Sequence, residues 1–225
     1  MLDKIKKLVS ELTGEKKANL QVITEEQLMR ELMAAMPAPA EPDMRTIGLF
    51  TDVAEEKVAE LAHALLYLDE VNKLDQTGEK QKPVEFYIST YGGNADDMFG
   101  LYDVMRKIKD TTEIHTIGVG KVMSAGVLLL AAGTNGKRKI GKNCRVMIHS
   151  VIGGNHGSLH NMVNEMEAIE QLQEMFCAAL ISETKMTRKQ LKKMLERKVN
   201  VYLSAEEAAF RSRCLKKKAR AAPLR

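Results

Sequence analysis

The sequence predicts an α/β protein in which repeated strand–helix units build a largely parallel sheet with helices on its faces. Two observations predict it. From residue 44 onward, short aliphatic segments alternate with amphipathic helical patterns. Glycine-bearing polar stretches punctuate the ends of those segments, as in "STYGG" at 89–93 and "VIGGNHG" at 151–157. A chain of 225 residues and 25.1 kDa is long enough to bury a sizeable core. Leucines, alanines and fourteen methionines must build that core, because tryptophan is absent and aromatics make up 4%.

Two helical patterns come first. Leu2, Ile5, Leu8, Val9 and Leu12 share a face, and Gly14 is a stop signal. "TEEQLMRELMAAM" opens with Thr24, a possible N-cap, and Gln27 three residues later. "PAPAEPD", with Pro37, Pro39 and Pro42, reads as an extended linker and sets a boundary near 43. The body then runs in order. "RTIGLF" is a strand, and 54–72 is a helix with Val58, Leu61, Leu65, Leu68 and Val71 inward. A polar loop leads to the strand "VEFYIST". Asn94 then opens a helix over 94–110, with Asp96 and Asp97 suited to its first turn. "EIHTIGVG" is a strand, the segment after Ser124 a short buried helix, and "RVMIHS" another strand. A long helix follows over 159–183, its stripe formed by Leu159, Met162, Val163, Met166, Ile169, Leu172, Phe176 and Leu180.

Composition excludes several functions. Three widely spaced cysteines with no CxxC read as reduced thiols in a cytoplasmic protein, neither a disulfide frame nor a metal site. The N-terminus lacks the continuous apolar stretch of a secretory signal, and no run is long enough to span a membrane. The tail 211–225 carries seven basic residues and no acid, so a chain of net charge +4 has a body of net charge −3. That body gives no electrostatic reason to expect nucleic acid.

Three polar features fall where strands end, which is where clefts form in α/β proteins. Gly92 and Gly93 follow one strand, Ser124 lies between a strand and an apolar helix, and His149 closes a third strand. Singly, each has a plain reading: a tight turn, a helix cap, a partly buried histidine. His63, His115, His156 and His160 are poorer candidates, lying on a helix, in mid-strand or by a loop.

Taken together, "STYGG", "KVMSAGVLLLAAG", "RVMIHSVIGG" and "YLSAEEA" resemble, in order and spacing over about residues 45 to 209, the proteolytic subunit of the Clp protease. The resemblance implies a ClpP/crotonase-like α/β fold with helix 159–183 projecting as a handle. It implies Ser124 as nucleophile and His149 as general base. The amides of Gly93 and Ala125 would form the oxyanion hole, and Gly92, Gly153 and Gly154 would border an added substrate strand. It also implies stacked heptameric rings of one chain, unfolded polypeptide substrates, an ATP-driven Clp-type AAA+ unfoldase, and no cofactor or metal.

Departures from that pattern are equally legible. Asn200 stands where the family has an aspartate. An amide can accept from the imidazole N–H but cannot offset its developing charge. Glu196 is an alternative carboxylate. Tyr91 replaces the turn proline. Residues 1–43 exceed the usual axial segment and suit a pro-segment, a cover over the ring entrance or a docking device. The tail 211–225 reads as a disordered extension or a change of reading frame, leaving 44–210 as the peptidase domain. Two other functions compete. One is a ring subunit with weak or no catalysis, supported by Asn200. The other is a crotonase-type acyl-CoA enzyme, against which Ser124 and His149 both argue.

Overall fold

The computed structural model describes residues 44–75, 81–154, 156–196 and 199–212. The N-terminal extension 1–43 and the tail from 213 lie outside the described residues.

Six strands form one sheet: β1 (Thr46–Leu49), β2 (Val84–Thr90), β3 (Ile114–Met123), β4 (Lys139–Ile140), β5 (Arg145–Ile148) and β6 (Val201–Leu203). Their order is β1-β2-β3-β5-β6, with β4 paired to β3 off this path. Every pairing is parallel except β5 with β6. Parallel neighbours need crossovers, and the helices α1 (Glu55–Leu74), α2 (Ala95–Ile108) and α3 (Ala125–Ala131) supply them.

The core lies under one face of this sheet. Val84, Phe86 and Ile88 alternate along β2 with half-buried residues, as a period of two requires. They share one buried cluster with Leu61 and Leu65 of α1, Leu101 and Met105 of α2, and Leu128 and Leu129 of α3. Along β2 these helices pack on a single face. Its opposite face, with Glu85, Tyr87 and Ser89, stays half-buried.

Helix boundaries follow local signals. Asn94 caps α2 by accepting from the amides of Asp96 (2.7 Å) and Asp97 (3.1 Å). In α1 the last turn departs from the sequence reading, because Val71 is only half-buried while Asp69 and Asn72 are buried. A polar network explains it. Asp69 accepts from the hydroxyls of Thr111 and Thr112 and pairs with Lys73, while Asn72 accepts from Arg45 at 2.7 Å.

Helix α4 (Leu159–Glu183) matches the expected span, but its stripe divides. Phe176 and Leu180 are buried, whereas Leu159, Met162, Val163 and Met166 are exposed. Its first half thus meets solvent on the apolar side, as a projecting helix does. Beyond it come α5 (Arg188–Leu195), strand β6 and α6 (Ala205–Ser212). A capping box between Thr187 and Gln190 starts α5.

Where α4 ends, Glu183 meets a buried cluster. Arg138 donates to Glu183 through both its carboxylate, at 3.1 Å, and its carbonyl. Lys109 reaches the same carboxylate at 3.1 Å, and Tyr102 donates to it at 3.2 Å. These bonds fasten the base of α4 to α2 and to the segment after α3.

Candidate active site

Strand β3 shifts register against β2 between Gly118 and Val122, where Gly120 takes φ 63°, and after Met123 the chain turns sharply into α3. Ser124 makes that turn with φ 51° and ψ −122°, the only positive φ at a non-glycine among the described residues. Such a conformation costs about 1–3 kcal/mol and persists only where surrounding structure imposes it. The surroundings here do so. The Ser124 amide donates to the Met147 carbonyl at 2.9 Å, which fixes it to β5. Ser124 takes the N-cap position of α3, but its side chain makes no capping bond, so the hydroxyl is not spent on the helix.

The glycine turn after β2 closes on this serine. Gly92 has φ 108°, which glycine adopts readily, and a Cβ there would meet the Ser124 Cβ at 2.6 Å and the Ala125 nitrogen at 3.1 Å. Gly93 is equally confined, since a Cβ would fall 2.1 Å from the Val53 carbonyl oxygen. Val53 bridges the turn by donating to the Gly92 carbonyl (2.8 Å) and accepting from the Asn94 amide (2.9 Å). That bridge uses the groups on either side of the Gly93 amide and leaves the Gly93 amide itself out. The Thr90 hydroxyl braces the turn from below, accepting from the Gly92 amide at 3.0 Å. Thus Gly92, Gly93, Ser124 and Ala125 are drawn together by close backbone packing.

His149 lies one residue past β5 and is half-buried. Met123 is the parallel partner of Met147, so Ser124 and His149 leave neighbouring strands at the same sheet edge. No hydrogen bond joins Ser124 to His149. Instead His149 Nδ1 lies 2.5 Å from the Ser150 carbonyl oxygen. A carbonyl only accepts, so Nδ1 carries a proton; in the neutral ring this contact selects the tautomer whose Nε2 holds the lone pair a general base needs.

Asn200 is exposed and makes no side-chain hydrogen bond among the described residues. The antiparallel register pairs Ile148 with Val201, and one further step sets Asn200 opposite His149. Position therefore agrees with the sequence register, while the bond is missing. Glu196 is exposed and pairs with Lys192 at 3.4 Å. Gly153 packs against Ile169 of α4, and a Cβ at Gly154 would meet nothing within 4 Å. The loop between them and β5 is pinned where the Val151 amide donates to Gln173 of α4 at 2.7 Å.

Sequence reasoning missed three supports of this site: Thr90, the Ser150 carbonyl and Gln173. Thr90 had a signal, a threonine two residues before a turn glycine. A backbone carbonyl has none. Among the described residues, no group of three or more His, Cys, Asp or Glu side chains is arranged to hold a metal ion. No helix among them is long and apolar enough to cross a membrane. Burial raises the Cys144 thiol to about 11 and also pushes Cys177 upward, so neither is an activated nucleophile.

A model of the Clp protease family matches residues 42–210. The chain is 32% identical over 164 residues to the ATP-dependent Clp protease proteolytic subunit 1 of Prochlorococcus marinus (strain MIT 9312), covering 73% of this chain and 78% of that relative. It is 32% identical over 165 residues to the proteolytic subunit 2 of Prochlorococcus marinus (strain NATL2A), covering 73% and 77%. Identity to the proteolytic subunit 2 of Synechococcus sp. (strain CC9605) is 28% over 170 residues, covering 73% and 84%.

Proposed function

Because the chain belongs to the Clp protease family, a family of peptidases, we propose that it is a serine endopeptidase cleaving unfolded polypeptides inside a ring assembly. The observation that carries this reading is the forced backbone of Ser124, held with its Cβ against Gly92. Ser124 Oγ attacks the scissile carbonyl, and its proton passes to His149 Nε2. The amides of Gly93 and Ala125 meet the oxyanion, and preorganised donors of this kind are worth about 10²–10³ in turnover. His149 then protonates the leaving amine, and water completes hydrolysis by the same exchange in reverse. Gly92, Gly153 and Gly154 border the substrate strand. Stacked heptameric rings, delivery of substrate by a Clp-type unfoldase, and a cytoplasmic location complete the proposal; the relatives' names, as subunits of an ATP-dependent protease, support its ATP-driven, multi-subunit part.

A second reading has its own support. Asn200 supplies no charge, makes no bond to His149, and among the described residues leaves Ser150 as the only hydrogen-bond partner of the imidazole. This favours a subunit that assembles and docks while catalysing poorly.

Labelling of the purified chain with a fluorophosphonate probe separates the two. The expected result is labelling of the parent and of Asn200→Asp, and none of Ser124→Ala. Asn200→Asp is expected to label at least about tenfold faster, set against the ~10⁴ that the reverse change costs a different serine peptidase. A parent that forms rings but stays unlabelled favours the assembly role.

A further inference from the structure

Beside the site, two cations stand together without a counter-charge among the described residues. Lys121 of β3 and Arg145 of β5 are direct partners in the parallel register, so both side chains rise from the same face. Several other cations of the fold do meet carboxylates: Arg138 and Lys109 meet Glu183, and Lys73 meets Asp69. Among the described residues neither Lys121 nor Arg145 has an acidic partner. Each turns away from the other onto an aromatic ring. Lys121 Nζ lies 4.5 Å from the centre of Tyr91, and Arg145 Cζ lies 4.9 Å from that of Tyr202. The result is a row from the turn after β2 across β3, β5 and β6, namely Tyr91, Lys121, Arg145 and Tyr202, whose outer rings are 65% and 50% exposed.

Two features tie this row to the site. Tyr91 immediately precedes Gly92, which abuts Ser124. Between the cations and the sheet edge, Met123 and Met147 continue the same face, and Met147 holds the Ser124 amide. Stacking on a ring fixes a cation while leaving its N–H groups free, so it orients the charge without neutralising it. Two like charges on facing strand positions repel, and a bound anion between them would relieve the repulsion.

We infer that Lys121 and Arg145 form a recognition point for an acidic side chain of the polypeptide substrate. The inference rests on the peptidase reading. Three strand residues separate Lys121 from Ser124, about 10 Å at roughly 3.3 Å per residue. An extended substrate lying along this face covers the same distance in about three residues. The acidic residue therefore sits two to four positions from the scissile bond.

Paired fluorogenic peptides, differing only as Glu or Gln at one position scanned along the chain, test this in cleavage by the parent. The same peptides, bound to full-length Ser124→Ala and read by fluorescence anisotropy, test it without any need for turnover. The expected Glu-over-Gln preference is about fivefold at its best position, the worth of a partly exposed ion pair. In Lys121→Gln/Arg145→Gln the ratio is expected to fall to about one, and in Lys121→Glu/Arg145→Glu to invert towards Lys-bearing peptides. Reading a ratio separates recognition from any general loss caused by disturbing the Tyr91 turn. An equal response to Glu and Gln in the parent overturns the inference. So does a preference that survives both double variants, or variants that alter only the oligomeric state, which would assign the row to contacts between copies of the chain. If Glu peptides bind preferentially to Ser124→Ala but the parent cleaves nothing, the recognition stands and the peptidase reading falls.

Discussion

Gly92 shows how far one missing methyl group shapes the site. A Cβ there meets Ser124 at 2.6 Å in a backbone conformation, φ 108°, that side chains rarely adopt. Gly92→Ala is expected to abolish probe labelling and to cost about 1–3 kcal/mol by urea unfolding. Near-parental labelling of that variant would mean that the turn is not part of the site. The sequence made Ser124, Gly92 and Gly93 legible because each is a residue type with few reasons to stand where it does. His149 was legible in place but not in its bonding. The group that receives its N–H is the Ser150 carbonyl, and no amino-acid letter encodes a carbonyl's direction. Asn200 was legible as a departure and lies opposite His149 in the strand register, yet its side chain points to no partner there.

Among elements, α4 was read correctly in span and only half correctly in burial. Apolar periodicity reports a face that avoids water, and it cannot say whether the same chain or another copy covers that face. The exposed Met162 and Met166 are the visible residue of that ambiguity. Met162→Glu/Met166→Glu is expected to disperse any assembly in sedimentation velocity while moving the unfolding free energy by less than about 0.5 kcal/mol. Dispersal with a large loss of stability would instead place these methionines in the chain's own core. Helix α5 went unread although "TRKQ" carries the reciprocal capping pattern, because eight residues with three lysines and an arginine offer little periodicity. Thr187→Ala is expected to cost about 1 kcal/mol in urea denaturation.

For the whole molecule, two buried charge clusters tie distant segments together, and neither was legible, because polar residues near element ends read as solvated. Glu183 is 7% exposed beside Arg138, also 7% exposed. Glu183→Ala leaves that arginine buried without its carboxylate, and a loss of about 3 kcal/mol is expected in urea titration. At Asp69, burial works against ionisation, but the bonds from Lys73, Thr111 and Thr112 prevail and hold its carboxyl below the ordinary 3.8. A depressed folded value stabilises the protein above the unfolded value and is lost as pH falls through the folded one. The stability gap between parent and Asp69→Asn is therefore expected to be full near neutrality and to close as pH drops below about 4. A gap that widens towards acid would reverse the assignment.

The turn at Ser124 also bears on how such a chain would drift over generations. Glycine adopts its backbone angles without strain, so Ser124→Gly is expected to raise stability by about 1 kcal/mol even after glycine's extra freedom in the unfolded chain is counted. A subunit that had long served only as scaffolding would be free to accept that gain by random mutation. The serine at the one non-glycine position with positive φ among the described residues is thus a standing thermodynamic burden, as the proposed chemistry at its hydroxyl would require.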